Sequence, residues 1–128
     1  MNRKNLSILL VSHGSREESA NREFKRLVQK YRKRHPSWKV SHAYLELAQP
    51  SIPEALESLA SKSNEIFVLP LFLFAAKHVK KHIPEILKTF QKNHPLVKVK
   101  LAKPLGPDLQ LLDILDRRLQ QIAHKSKS

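Results

Sequence analysis

The sequence predicts an α/β fold, a three-layer α/β/α sandwich around a four-stranded parallel sheet. Apolar runs with strand character alternate strictly with amphipathic helical segments, in the order β-α-β-α-β-α-β-α. The connections are short, and such alternation is typical of parallel strands joined by helical crossovers. The third apolar run, EIFVLPLFLF at residues 65–74, is nearly continuous, as a strand covered by helices on both faces requires.

The first half of the chain supplies two strand–helix pairs. LSILLVS at 6–12 is typical of a short buried strand, and residues 17–34 carry apolar side chains at three- and four-residue spacing, which predicts an amphipathic helix. WKVSHAYLEL at 38–47 alternates as a second strand. Ser51, followed three residues later by Glu54, predicts the N-terminal cap of the second helix.

The second half repeats this arrangement. Pro70 is expected to end the regular pairing of the third strand, because proline has no N–H to donate. His94-Pro95 ends the third helix, and Asp108 is expected to cap the fourth. The remaining elements are predicted to be a helix, a strand and a helix, over 78–93, 97–103 and 108–123.

Composition indicates one soluble domain. The 128 residues, 41% of them apolar, suit a single domain over 1–123, with a disordered C-terminal tail over 124–128. The chain has no cysteine, which excludes disulfides and thiolate metal sites. The first apolar run, of about six residues, is too short for a signal peptide or a membrane span. We therefore expect a cytoplasmic protein.

The chain is strongly basic, with 24 Lys and Arg against 11 Asp and Glu and a formal net charge of +13. This charge favours anionic partners: nucleic acid, a small polycarboxylate or an anionic membrane surface. A lysine-rich solvated face explains it equally well. With two glycines and neither a GxGxxG nor a Walker motif, a dinucleotide or nucleotide cradle is not predicted. The phenylalanines lie mostly in apolar runs and do not form an RNA-binding aromatic motif.

Three consecutive strand ends carry side chains that can bind a metal or transfer a proton. In open parallel sheets, ligands bind beyond the carboxyl ends of the strands. His13 follows the first strand, Glu46 ends the second, and His78 follows the third. Two imidazoles and a carboxylate form a ligand set that borderline divalent metals accept. Gly14 allows a tight turn that leaves His13 at the mouth of the cleft, although a single histidine in such a loop is usually a hydrogen-bonding or surface residue.

Two further features lie near the same edge. His78 and His82 stand four residues apart at a helix start, a spacing that can hold zinc, but without the glutamate of HExxH it is common by chance. Basic side chains can meet carboxylates or phosphates, or they can form a solvated helix face. They are Arg16, Lys77, Lys80, Lys81 and Lys103.

Three segments together resemble a known family. LLVSHGSREESANREF, YLELAQPSIPEAL and VLPLFLFAAKHVKKHIPEIL are similar, in order and spacing, to the small single-domain sirohydrochlorin cobaltochelatases and ferrochelatases, the CbiX/SirB-like class II chelatases. The resemblance covers roughly residues 6 to 90. It implies a chelatase-like, flavodoxin-like topology and an ATP-independent lyase that inserts Co²⁺ or Fe²⁺ into sirohydrochlorin, in cobalamin or sirohaem biosynthesis.

The resemblance also implies the roles of individual residues. His13 and His78 would handle the metal, and Glu46 would be the associated acid. Ala75-Ala76 stand where the family often has glycine, and His82 stands where it often has an acidic residue, which leaves room for an extra ligand. We expect the anionic macrocycle to contact side chains around these three, namely Ser12, Ser15, Arg16, Phe74, Lys77 and Lys80.

Substrates and partners follow from the same resemblance. The divalent ion, Co²⁺, Fe²⁺ or Ni²⁺, is a substrate, and no cofactor is expected to be permanently bound. Longer relatives carry two such halves around one cleft, so a homodimer is implied, with neither nucleic acid nor membrane as partner. Two alternatives stay open: a non-catalytic tetrapyrrole or metal carrier, which would bind without turnover, and a basic nucleic-acid-binding domain, which would show salt-dependent binding.

Overall fold

The computed structural model describes residues 5–126 and contains the eight predicted elements in the predicted order. The strands are β1 (Leu6–Ser12), β2 (Lys39–Tyr44), β3 (Glu65–Pro70) and β4 (Lys98–Leu101), and the helices are α1 (Glu18–Arg34), α2 (Ile52–Ala60), α3 (Lys77–Asn93) and α4 (Gln110–Ser126). All strand pairs are parallel, in the order β2-β1-β3-β4. The predicted α/β fold is confirmed.

The helix boundaries follow the signals in the sequence. Ser51 Oγ accepts a hydrogen bond from Glu54 N, and Ser51 N donates to the Glu54 carboxylate, so the predicted capping box of α2 is formed. Helices α1 and α3 end directly before His35 and His94, each of which precedes a proline. Asp108 Oδ1 accepts from Gln110 N at 2.9 Å at the start of α4, as predicted.

The strands are shorter than their apolar runs, and the last helix is longer than expected. Strand β2 ends at Tyr44 rather than at residue 47, because the chain turns there and Leu47 takes a left-handed backbone conformation (φ 65°). Strand β3 ends at Pro70, as predicted, whereas β4 stops before its predicted end at residue 103. Helix α4 continues through Ser126, three residues beyond Ala123, while residues 127 and 128 of the expected disordered tail lie outside the described range.

Two apolar clusters cover the two faces of the sheet. Helices α2 and α3 pack on one face against the side chains of Leu9, Val11, Ile66 and Val68. Helix α1 packs on the other face, where Phe24 and Val28 contact Ile8, Leu10 and Tyr44. None of the helices within residues 5–126 is both long enough and apolar enough to cross a bilayer.

Helix α4 departs from the predicted three-layer packing. Its large apolar side chains are mostly exposed, including Leu109 (78%), Leu115 (62%) and Ile122 (63%). The sequence predicts helices on both faces of the sheet without assigning α4 to either. On the α1 face, Leu69 of β3 is only half-buried.

The junction between β1 and α1 depends on a glycine. Gly14 has φ +93°, a region that side-chain-bearing residues rarely adopt. A Cβ at this position would overlap the backbone carbonyl of Glu46. The close approach is fixed by two hydrogen bonds that continue the β1–β2 pairing past its end, Leu45 N to Ser12 O at 2.9 Å and Glu46 N to His13 O at 3.0 Å.

The substitution Gly14→Ala should therefore disrupt this junction. The left-handed conformation costs a side-chain-bearing residue roughly 1–2 kcal/mol, and the overlap adds to it, so we expect a loss of more than about 2 kcal/mol in the free energy of unfolding. Urea denaturation measures this loss. Arg16→Ala, in the same turn but exposed, is the control and should stay within about 0.5 kcal/mol of the wild type. Equal stabilities of the two variants would contradict the assignment.

His42 should make stability depend on pH. Burial against Phe24 and Tyr44 lowers its pKa, and the positive charges of Lys25 and Arg32 add to the effect. The unfolded chain therefore binds a proton at His42 before the folded chain does. Its contribution to stability is present above the ordinary pKa of about 6.5 and is lost as the pH falls below that value.

The variant His42→Phe should flatten this pH dependence, because it keeps a ring in the cluster and removes the titration. Between pH 7.5 and 5, the wild type should lose more stability than the variant in urea titrations. His82→Gln, which changes an exposed histidine, serves as the control and should retain the wild-type slope. An unchanged slope for His42→Phe would show that another group is responsible.

Candidate functional site

The carboxyl ends of β1 and β2 bring an imidazole and a carboxylate into contact. His13 Nε2 and Glu46 Oε1 are 2.9 Å apart, and both side chains are about half exposed (45% and 57%). The Gly14 turn makes this contact possible, because it allows the backbone of residues 13 and 46 to pair. An ionised carboxylate only accepts hydrogen bonds, so Glu46 favours the tautomer of His13 with its proton on Nε2. The lone pair then lies on Nδ1.

His78 lines the same cavity as His13. The cavity, of about 250 Å³, is also lined by Val79 of α3 and by the β3–α3 connection, namely Phe72, Leu73, Phe74, Ala75 and Ala76. His78 lies in the first turn of α3, which begins at Lys77 directly after this connection. Two imidazoles from separate crossovers therefore face one space with largely apolar walls.

Of the two phenylalanines that line this cavity, one packs on the apolar core and the other is exposed. Phe72 is half-buried, packs on the α2–α3 cluster and meets the His13 ring edge-on, with ring centroids 6.4 Å apart. Phe74 is 79% exposed. The same connection also borders a second cavity, of about 550 Å³, whose mostly apolar lining includes Lys80 and Lys103. Phe72, Leu73 and Phe74 line both cavities.

The remaining predicted contact residues surround the cavity without lining it. Ser12 is the last residue of β1, and its carbonyl accepts from Leu45 N. Arg16 and Lys77 are exposed at the starts of the two crossovers. Lys80 lines the second cavity rather than the histidine cavity. Of the predicted residues, His13, His78 and Phe74 line the histidine cavity. Glu46 does not line it but is hydrogen-bonded to His13.

A buried asparagine that the sequence reasoning missed holds the His13 loop. Asn21 Oδ1 accepts from Ser15 N at 3.0 Å, and Asn21 Nδ2 donates to Ser15 O at 2.8 Å. Its own carbonyl accepts from the Tyr44 hydroxyl at 3.2 Å. Asn21 lies three residues before Phe24, on the buried face of α1. A polar residue at an apolar position of the helix was the signal that could have revealed it.

The side chains of this cavity do not form a closed set of metal ligands. Within residues 5–126, no three His, Asp or Glu side chains converge closely enough to hold a metal ion. His13 and Glu46 are in contact, and His78 lines the same cavity as His13. His82, four residues farther along α3, is exposed and does not line the histidine cavity. Such an arrangement suits transient capture of an ion, since a closed set of four ligands retains its metal.

Known proteins share both this sequence and this fold. The chain is 32% identical over 123 residues to a sirohydrochlorin cobaltochelatase of Sulfurisphaera tokodaii, covering 93% of this chain and 95% of that protein. It is 31% identical over 114 residues to a chloroplastic sirohydrochlorin ferrochelatase of Arabidopsis thaliana, covering 88% of this chain. The chain spans about half the length of that plant relative (51%).

Solved structures extend the similarity to the backbone. A cobalt complex of the sirohydrochlorin chelatase SirB from Bacillus subtilis subspecies spizizenii superposes with a TM-score of 0.83 at 31% identity, over 93% of this chain and 51% of that one. A putative cobalamin biosynthesis CbiX protein from Marinobacter aquaeolei gives 0.79 at 27% identity, over 93% and 98%. The sequence profile of CbiX matches residues 7–122. The chain therefore belongs to the CbiX family.

Proposed function

We propose that this protein is a sirohydrochlorin chelatase, a lyase that inserts Co²⁺ or Fe²⁺ into the tetrapyrrole without ATP. The observation that carries the proposal is that His13 and His78 line one cavity, with Glu46 hydrogen-bonded to His13. Relatives of similar length carry the name sirohydrochlorin cobaltochelatase, and SirB structures contain cobalt or Fe³⁺.

The residues of the cavity match the requirements of metal insertion. The hydrated ion must lose water, approach the ring nitrogens and displace two pyrrole protons. Neutral imidazoles serve as exchangeable ligands and as proton acceptors near neutral pH. His13 would offer Nδ1, because Glu46 holds the proton on Nε2. Glu46 would stabilise the imidazolium when His13 accepts a pyrrole proton.

The surroundings of the histidines suit a flat polycarboxylate. Phe74 presents an exposed aromatic face on which a macrocycle can stack. Lys80 and Lys103, which line the neighbouring cavity, would provide positive charge for peripheral carboxylates. Arg16 and Lys77 add charge at the two helix starts. The net charge of +13 would also accelerate the encounter with such a substrate.

We also propose that the chain acts as a homodimer. It covers 51% of the plant ferrochelatase and 47% of SirB from Bacillus subtilis, but 95% of the archaeal cobaltochelatase. A single copy thus corresponds in length to about half of the longer relatives, and two copies would supply what one longer chain contains. The cytoplasmic location expected from the sequence stays a prediction.

Replacing either histidine should abolish insertion without unfolding the protein. We expect His13→Ala and His78→Ala each to lower the rate of Co²⁺ or Fe²⁺ insertion by roughly 100-fold or more, the usual contribution of a positioned acid–base or ligand group. Anaerobic absorbance spectroscopy with sirohydrochlorin and each ion measures these rates. Circular dichroism should show that both variants remain folded, because both side chains are exposed.

The chain offers a matched control for these variants. His94 also forms a 2.9 Å bond to a carboxylate, that of Glu57, but at the opposite end of α3, about 25 Å from His78 along the helix axis. His94→Ala should insert metal at the wild-type rate. Wild-type rates in all three variants would refute the assigned roles. Tight binding of sirohydrochlorin without turnover in the wild type would indicate a carrier instead.

A further inference from the structure

The amide side chain of Asn21 binds both backbone groups of one residue in the His13 loop, which comprises residues 13–17. It accepts a hydrogen bond from Ser15 N at 3.0 Å and donates one to Ser15 O at 2.8 Å. An amide carries a donor and an acceptor in one plane, so it can satisfy both groups at once, whereas an ionised carboxylate only accepts. Asn21 thus takes the place that a neighbouring strand would occupy beside Ser15.

The His13 loop depends on these two bonds between the sheet and the helix. The pairing of β1 with β2 ends where Glu46 N donates to His13 O at 3.0 Å, and the backbone bonds of α1 begin only at Glu17 O. Within residues 5–126, the hydrogen bonds of the Ser15 backbone are those to Asn21. The path of the chain as it leaves His13 is therefore set by the Asn21 side chain.

Asn21 also contacts the strand that leads to Glu46. Its backbone carbonyl accepts from the Tyr44 hydroxyl at 3.2 Å. Tyr44 is fully buried at the end of β2, two residues before Glu46. Asn21 thus joins the two chain segments that supply the His13–Glu46 pair, one through its side chain and the other through its carbonyl.

The burial of Asn21 is a cost that packing alone does not explain. The residue is only 5% exposed and lies on the face of α1 that also buries Phe24 and Val28. A buried amide loses its hydration and regains it only through its hydrogen bonds, whereas leucine at this position would pack without that cost. Departures from the apolar pattern of a helix concentrate where a protein's function requires them.

We propose that Asn21 is a positioning residue for metal insertion, acting through Ser15 on the His13 ring. The bond from Glu46 N holds the His13 backbone on one side, and the Asn21 amide holds the chain that follows it. With both in place, the ring keeps its 2.9 Å contact to the Glu46 carboxylate and its position in the histidine cavity. This inference rests on the proposed function, because the ring position affects a rate only if His13 takes part in the reaction.

The substitution Asn21→Leu tests this role. Leucine has nearly the same shape, and it removes both bonds to Ser15 while the backbone bond to Tyr44 remains. We expect kcat for Co²⁺ or Fe²⁺ insertion to fall roughly 10-fold or more, because a misplacement of about 1 Å can cost up to about 100-fold. KM for sirohydrochlorin should stay within about 2-fold of the wild type, since the groups that contact the substrate are unchanged. Asn21→Ala should show the same pattern, and circular dichroism should show both variants folded.

Gln91 provides a matched control, because its amide holds another connection in the same way. Its Nε2 donates to His94 O at 2.9 Å and to Val97 O at 2.6 Å, and its Oε1 accepts from Val99 N at 3.3 Å. It lies about 20 Å from His78 along α3. Gln91→Met removes these bonds and should leave kcat unchanged. An equal loss of kcat in the two variants would show a general effect on the fold and would overturn the inference.

Native-state hydrogen exchange tests the His13 loop without reference to the reaction. In Asn21→Leu, the amides of Ser15 and Glu46 should exchange roughly 10-fold faster or more, because local opening of the loop becomes easier. In Gln91→Met, these two amides should keep their protection, and the Val99 amide should exchange faster instead. Unchanged protection of Ser15 and Glu46 in Asn21→Leu would overturn the inference.

A double substitution identifies the route by which Asn21 acts. When Asn21→Leu is combined with Glu46→Ala, the loss of kcat should be smaller than the product of the two single losses, because both changes act on the same His13 ring. Losses that multiply fully would show another route and would overturn the inference. A wild type without insertion activity would refute the proposed function itself, whereas an active wild type with an equally active Asn21→Leu variant would refute only the role of Asn21.

Discussion

The contact between Gly14 and the backbone of Glu46 is the constraint on which the candidate site depends. Because no Cβ separates them, the ends of β1 and β2 continue to pair beyond the sheet, and His13 and Glu46 leave the pairing side by side. Asn21 then fixes the outgoing loop through Ser15, from a buried position on α1. The carboxylate of Glu46 orients the imidazole of His13, and these hydrogen bonds hold the loop against the sheet. The His13–Glu46 pair is half-exposed, yet its geometry is defined. The proposed capture and release of an ion requires both properties.

Much of the fold could be predicted because its signals are local. Strict alternation of strand and helix fixes a parallel sheet, and caps such as Ser51–Glu54 define helix starts within a few residues. The strand ends were less accurate, since apolar composition does not show where pairing stops. Residues 71–74 continue the apolar run beyond β3, where Leu71 N still donates to Val11 O, and they line cavities. The left-handed Leu47 carries no signal at all, because leucine rarely adopts that conformation.

The candidate site was predictable in its members but not in its contacts. Placing His13, Glu46 and His78 at strand ends requires only the order of elements. That Glu46 bonds to His13, and that His78 lines the same cavity, depends on side-chain geometry that spacing does not encode. Asn21 was missed for a different reason: a helical pattern is searched for its apolar residues, and a polar residue among them is easily taken as solvated. The exposure of α4 also could not be predicted, because an amphipathic stripe indicates burial without indicating against which surface.

The approach of Gly106 to the carbonyl of Leu73 links two parts of the molecule that otherwise lie apart. A side chain at position 106 would overlap that carbonyl. The segment that precedes α4 therefore packs closely against the β3–α3 connection, which carries Phe72 and Phe74. A larger residue at position 106 must therefore displace either the start of α4 or the connection that forms the aromatic wall of the histidine cavity.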